Sequence, residues 1–396
     1  MQENLQRDEM AKRERYLICV MRVPFIDKIP GLRSLLHYLS ENGYKIELLC
    51  PTDDKYLAPS FLNENLTFAE VTRDLHILGF HIRIPTTVKL FLEGRQTSIK
   101  SRSFCILGAD KFGIIVATGI AKTRRLPLAS FCVEFPAIRG EKSSKLKLHD
   151  YLEHVCLRSS DLVITQDWHH ASLLTKEIGV EQERIVILPN SSRGLARRIE
   201  SNWLSDRFGI PPDSLIILHS GGLGRWFECQ ELARATKAWS ESWRLVFHTS
   251  LKVEGEPYLQ TVRQEADGAK VIFSTNPVPA NELDQLVSSA HIGVALYSVE
   301  ELGYRAELMG LAAGKIGNYL KCGLPVVATD IPTLRSYIEE YRCGICVKGA
   351  DEVKYAIECI MKDYDAYSEN AVKCWNEVWE PDKYCSIIAD RLKELR

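Results

Sequence analysis

Short runs of β-branched and apolar residues alternate along this chain with helix-length segments, and the whole series occurs twice. The first series contains Tyr16 to Pro24, Lys45 to Pro51, Gly113 to Gly119, Ala129 to Glu134 and Asp161 to Thr165. The second contains Leu215 to His219, Arg244 to His248, Lys270 to Phe273, His291 to Tyr297, Pro325 to Thr329 and Gly344 to Val347. Strands separated by helices are joined by crossovers, so they pair in parallel and are covered on both faces. Between the first two runs, Leu32, Leu35, Leu36 and Leu39 recur at helical spacing, and Asn42-Gly43 closes that helix with residues tolerant of positive φ. The chain opens strand, helix, strand.

Two such series in 396 residues predict an α/β protein of two Rossmann-like domains. Between them, the segment from Asn190 to Pro212 carries Ser191-Ser192, Gly194, several arginines and Pro211-Pro212, the composition of a connector. The junction is therefore expected near Ser201 to Pro212, with domains at 1–205 and 206–380. After Pro381, the residues Tyr384, Ile387, Ile388 and Leu392 share one helical face with charges opposite, which predicts a packed terminal helix.

Composition excludes several function classes. Lys and Arg number 50 against 52 acidic residues, a net charge of -2, so the whole-protein field does not attract nucleic acid. The 12 cysteines lack repeated CxxC pairs or regular spacing, and the chain begins with a charged segment, so reduced thiols and a cytoplasmic protein are expected. The longest apolar stretches, Gly113 to Ile120 and Leu324 to Thr329, are far shorter than the roughly 20 residues that span a bilayer. The basic stretch Ile138 to Lys147, with Arg139, Lys142, Lys145 and Lys147, suits peripheral contact with the inner face of a membrane, although a solvated loop is the plainer reading.

The densest set of local signals lies from Leu311 to Asp330. Ile316, Tyr319 and Leu320 form an apolar helical face, Gly314 permits close backbone approach at the start, Gly323 ends the helix, and Pro325 opens a buried strand. The helix N-terminus offers N–H groups and the positive end of the macrodipole to an anion, and Lys315 adds a mobile charge. Any α/β protein holds helices that begin with Gly and Lys. Here the segment follows a capped helix, Asn281 to Ala290, and a strand whose polar loop lies where parallel sheets bind ligands.

The segment Gly314-Lys-Ile-Gly-Asn-Tyr-Leu-Lys-Cys-Gly-Leu-Pro-Val-Val-Ala-Thr-Asp330 resembles the lysine, glutamate, tyrosine and GxPVVAT segment of the retaining GT-B glycosyltransferases. These are the family-four enzymes similar to glycogen synthase and to bacterial polysaccharide-building transferases. Arg158-Ser-Ser-Asp-Leu-Val-Ile-Thr165 is similar to that family's RRADLVI strand entry, and Ile185-Val-Ile-Leu-Pro-Asn-Ser191 to its interdomain VIPNG. The resemblance implies two domains facing a central cleft, with residues 381–396 crossing back to the N-terminal domain. It implies transfer of a sugar, a hexose in the family's pattern, from a nucleotide-diphosphate donor, UDP-linked by family weight. The acceptor would be a glycan, a lipid-linked sugar or a small molecule, anomeric configuration would be retained, and neither cofactor nor metal is called for.

By the same resemblance, Ile217-Leu-His-Ser-Gly-Gly-Leu-Gly-Arg-Trp226 is the strand and glycine loop that meet the donor diphosphate, with Gly222, Gly224 and Arg225 at the phosphates and Trp226 in place of a nearby family residue. Asn318 stands where the family has a glutamate that hydrogen-bonds the ribose, and Glu300, Glu301 and Glu307 compete for the partner glutamate. Gly31 follows strand one, near the donor phosphates. Glu134 stands on the catalytic face, where it would orient the acceptor hydroxyl or stabilise oxocarbenium character; a solvated strand-end carboxylate is the alternative. The catalytic candidates are thus Glu134, Arg225 and Lys315. The donor candidates are Gly31, Gly222, Gly224, Arg225, Gly314, Lys315 and Asn318.

His169-His170 lacks the spacing of a zinc site, and Asp53-Asp54 sits in a polar loop rather than at a strand end, so no metal site is predicted. A nicotinamide dehydrogenase would need GxGxxG, and Gly221-Gly222-Leu223-Gly224 has the wrong spacing. Two alternatives stay open: a nucleotide-sugar epimerase of the same fold, and a catalytically silent GT-B protein that binds a nucleotide sugar or a partner.

Overall fold

The computed structural model describes residues 15–52, 59, 61–72, 74–77, 80–138, 147–249 and 255–395. The basic stretch 139–146 and Asp53-Asp54 lie outside them. The chain divides into two compact units. The N-terminal unit comprises residues 1–54, 61–188 and 382–396; the C-terminal unit comprises 55–60 and 189–381.

The N-terminal unit runs β1 (Arg15–Met21), α1 (Pro30–Glu41), β2 (Tyr44–Cys50), β3 (Leu66–Glu70), a hairpin of β4 (Asp74–Ile77) and β5 (Phe80–Arg83), α2 (Thr86–Lys100), β6 (Cys105–Ala109), α3 (Asp110–Arg124), β7 (Leu128–Phe131), α4 (Leu148–Arg158), β8 (Leu162–Thr165), α5 (Trp168–Leu173) and β9 (Ile185–Ile187). Its seven-stranded parallel sheet has the order β3-β2-β1-β6-β7-β8-β9. In β1, Leu17 to Met21 are all fully buried, as a central parallel strand covered on both faces requires. Pro30 opens α1, Leu32, Leu35, Leu36 and Leu39 bury its inner face, and Gly43 takes a φ of +82° just beyond its end.

One expected strand is a helix. Gly113 to Gly119 falls inside α3, and the strand of that repeat is β6, just upstream. A short apolar run has no periodicity that separates a buried strand from a buried helix. The two glycines at the junction explain the packing: a Cβ on Gly113 would sit 2.5 Å from the carbonyl oxygen of Val20, and one on Gly108 2.6 Å from Cα of Ile114. Backbone therefore meets backbone where α3 crosses the sheet. β7 also stops at Phe131, so Glu134 lies in the loop beyond it rather than at the strand's last position.

The C-terminal unit runs α6 (Trp203–Phe208), β10 (Leu215–Ser220), α7 (Cys229–Ala235), β11 (Trp243–His248), α8 (Pro257–Glu265), β12 (Val271–Ser274), α9 (Leu283–Ser288), β13 (Ile292–Ala295), α10 (Val299–Leu302), α11 (Gly314–Lys321), β14 (Val326–Thr329), α12 (Pro332–Ile338), β15 (Gly344–Val347), α13 (Val353–Ile360) and α14 (Tyr364–Cys374). Six parallel strands take the order β12-β11-β10-β13-β14-β15. The chain joins this unit at Pro189, ahead of the Ser201 to Pro212 junction read from composition. Asn190 N donates to Leu311 O at 2.9 Å and Arg197 N to Lys321 O at 2.9 Å, so the polar segment is already held by this unit's backbone.

The last helix, α15 (Pro381–Glu394), joins the N-terminal unit from Asp382 onward. Cys385, Ile388, Ala389 and Leu392 enter the same core as α1 and β1. Tyr44 Oη donates to Ala389 O at 3.0 Å. Ile387, placed on the packed face by sequence, is instead 56% exposed, and Cys385 takes that place.

Candidate functional site

In the C-terminal unit, strand order reverses between β10 and β13, and the crevice beyond their carboxyl ends is where open parallel sheets take ligands. β10 ends at Ser220 and runs into Gly221, whose φ of +147° only glycine adopts with ease. A Cβ there would lie 3.4 Å from Cε of Lys315, so the glycine turn and the start of α11 close on each other.

Tyr319 fixes that approach. Its ring lies across β13, where a Cβ on Gly293 would come within 2.3 Å of it. Its hydroxyl accepts from Ser220 N at 2.7 Å and donates to Val294 O at 3.3 Å. One turn earlier on the same helical face stands Lys315. The Lys315 ammonium is buried without a hydrogen-bond partner and sits 3.7 Å from the ring centroid of Phe227 and 5.2 Å from that of Tyr297. Burial lowers its pKa to about 8. The two aromatic faces supply cation–π attraction to the desolvated ammonium.

His219 completes the turn from below. Fully buried, it is held well below its usual pKa by burial first and by the Lys315 charge second. The neutral ring donates from Nε2 to Gly222 O at 3.1 Å. On the other side, Ser298 N donates to Trp226 O at 3.0 Å, which ties the loop after β13 to the turn.

The expected glycines have distinct local reasons. A Cβ on Gly222 would meet Phe227 at 2.9 Å, and one on Gly224 would meet Trp226 at 2.9 Å; both make room for the aromatic turn. Gly314 leaves room for Asn190, whose Nδ2 would lie 2.9 Å from its Cβ. Asn318, on α11, accepts from Ser192 Oγ at 3.2 Å. Arg225 is exposed on the short turn after Gly224, with its charge acting on Tyr258. Glu300, Glu301 and Glu307 are exposed, and Trp226 is half-exposed. Glu134 and Gly31 belong to the N-terminal unit: Glu134 is exposed beyond β7, and Gly31 is buried in the first turn of α1.

The N-terminal unit has its own switch point, between β1 and β6, and sequence reasoning missed what fills it. Asp110, at a φ of +59°, accepts from the backbone N–H of Arg22, Val23, Phe112 and Gly113. Beside it, Lys111 pairs with Asp150 and lies 3.6 Å from Glu153. Glu153 is buried, one oxygen lacks a hydrogen-bond partner, and burial raises its pKa to about 7 against the pull of Lys111. His169 is exposed and His170 packs on Phe135. Among the described residues, no three His, Cys, Asp or Glu side chains converge as metal ligands. All twelve cysteines are free thiols.

Residues 215–363, which hold the glycine turn, Lys315 and the crevice between β10 and β13, match the family model described as glycosyl transferases group 1. The chain carries a group 1 glycosyltransferase domain. Over nearly its whole length the chain shares the GT-B fold of solved proteins. Sucrose-phosphate synthase from Thermosynechococcus elongatus superposes with a TM-score of 0.71 at 14% identity, over 96% of this chain and 99% of that one. HepE from Anabaena, solved with UDP and glucose, gives a TM-score of 0.71 at 14% identity, over 97% and 100%. A putative UDP-N-acetylglucosamine 2-epimerase from Listeria monocytogenes shares the fold more loosely, with a TM-score of 0.58 at 11% identity over 96% of each chain. In sequence, D-inositol 3-phosphate glycosyltransferase from Acidothermus cellulolyticus is 24% identical over 210 residues, 50% of this chain; the match spans 44% of that relative's length.

Proposed function

We propose that this group 1 GT-B chain transfers a hexosyl group from a UDP-linked donor to a glycan, lipid-linked or small-molecule acceptor, with retention of anomeric configuration. A desolvated ammonium without a hydrogen-bond partner, beside a positive-φ glycine at the crevice of a parallel sheet, is built to receive an anion. The Lys315 centre is the observation that carries this reading. HepE, the structural relative solved with UDP and glucose, supports a nucleotide-sugar donor.

In this scheme, Lys315 leaves the Phe227 and Tyr297 rings for the diphosphate and neutralises charge as the sugar–phosphate bond breaks. The backbone of Gly221 to Gly224 approaches the same phosphates, and Arg225, on a flexible exposed stem, adds a second cation. Tyr319 and His219 are positioning residues: one holds α11 and the other the glycine turn. Gly314 starts the helix that presents Lys315, and Asn318 is a polar partner for the ribose. In the N-terminal unit, Glu134 is the candidate carboxylate for acceptor or oxocarbenium, and Gly31 the backbone neighbour of the phosphates. Retention follows if the leaving phosphate assists attack from its own face, which needs no protein nucleophile.

Incubation with a panel of UDP-hexoses and candidate acceptors, read by UDP release and by NMR of the product anomer, tests the proposal. Transfer with an unchanged anomeric centre is expected. Inversion would contradict the retaining mechanism, and sugar isomerisation without an acceptor would make the chain an epimerase. UDP-sugar binding with no turnover would identify a silent binder, the reading that Asn318 in place of a glutamate favours.

A further inference from the structure

α2 and α4 pack on either side of α3, and α2 and α3 cover one face of the N-terminal sheet. Their acidic side chains are distributed unevenly. Asp110, Asp150 and Glu153 are buried, so Glu93 is the one acidic residue of these helices that reaches solvent, and it pairs with Lys89 at 3.0 Å. Cations on the same helices stay outside: Arg95, Lys100, Lys122 and Arg158 are exposed. A chain with a net charge of -2 thus presents one strongly cationic face.

The same face exposes apolar side chains at helical spacing. Val88, Leu92 and Ile99 form a stripe on α2, opposite the buried Leu90, Gly94 and Ser98. On α4, Leu148 is 75% exposed and Tyr151 54%, with Leu152 beside them. α2 is therefore apolar on both sides, and only its inner side is covered by this unit's core. Isolated exposed hydrophobics need no explanation, but exposed apolar side chains on both helices that flank α3, among exposed cations, do.

We infer that the outer face of α2, α3 and α4 docks on an anionic lipid surface, with Val88, Leu92, Leu148 and Tyr151 entering the headgroup boundary and Lys100, Lys122 and Arg158 meeting lipid phosphates. A bilayer is the occupant that this pairing fits: acidic headgroups complement the cations, and the acyl boundary takes the aliphatic tips. Nucleic acid would use the cations and leave Leu148 and Leu92 in water. The inference stands apart from the UDP reading, since no residue in it touches the Lys315 centre.

Co-sedimentation of the full chain with vesicles tests it, using phosphatidylcholine alone and an equal mixture of phosphatidylcholine and phosphatidylglycerol. The wild type is expected to pellet with the mixed vesicles, to stay soluble with the neutral ones, and to be released by salt. K100E/K122E should weaken binding by about tenfold or more. L148S/Y151S should weaken it while leaving the salt dependence intact. Circular dichroism and UDP binding on each variant separate lost docking from lost folding. Equal pelleting with neutral vesicles, no pelleting with either, or unchanged binding by both folded variants would overturn the inference; binding of duplex DNA without vesicle binding would do so in favour of nucleic acid.

Discussion

At the scale of single residues, the site depends on a lysine kept where its charge is costly. With a pKa lowered to about 8, Lys315 is protonated below that pH, and an arriving diphosphate raises its pKa again. Nucleotide affinity should therefore fall as pH rises beyond about 8, while Lys315→Met should bind weakly and without that fall; calorimetry from about pH 7.5 to 10, where the diphosphate is fully ionised, reads both. Glu153 makes the opposite kind of statement about stability. Its folded pKa is raised from 4.5 to about 7, so its contribution is fully present below the unfolded value and is lost as pH rises through about 7. Glu153→Gln should remove that decline and stabilise the protein at pH 8 by about 2 to 3 kcal/mol, measured by denaturant unfolding at pH 5 and pH 8. A Glu153→Gln variant as pH-sensitive as the wild type would show that Lys111 offsets the burial.

At the scale of elements, α11 is held to the sheet through one side chain. Tyr319→Phe removes the acceptor of Ser220 N–H and the donor to Val294 O, at a cost of about 1 to 3 kcal/mol. Gly293→Ala drives a methyl into the Tyr319 ring, at a similar cost of about 1 to 3 kcal/mol. Both should lower UDP affinity by shifting the helix that carries Lys315, and a variant that loses stability with unchanged affinity would separate the two roles. The strands of the C-terminal sheet were legible in sequence because each is a β-branched run bounded by turn residues. α3 was not, because Gly113 to Gly119, apolar but for Thr118, shows no helical periodicity and glycine there serves contact with β1, which exists only after folding. The pocket of Phe227 and Tyr297 around Lys315 was hidden for the same reason: the three residues come from three separate elements. Lys315 itself was legible because its own helix carries the Gly314 to Gly323 pattern.

At the scale of the whole molecule, two compact units with separate cores need not unfold as one. α15 belongs by packing to the unit at the other end of the sequence, and Ile388→Ala, at about 2 to 5 kcal/mol, should loosen the N-terminal sheet first. Hydrogen exchange should show the loss in β1, β2 and α1 and spare β10 to β15. Saturating UDP should act in the other direction, protecting the C-terminal unit by about 2.7 kcal/mol at a hundredfold excess over Kd. The central claim is that Lys315 and the glycine turn form the diphosphate site, and titration calorimetry of UDP, GDP and ADP against wild type and Lys315→Ala tests it most directly. The account predicts binding of UDP in preference to the others, weakened by about thirtyfold in the variant, the equivalent of about 2 kcal/mol for one charged contact. UDP affinity that is the same in a folded Lys315→Ala variant would contradict it.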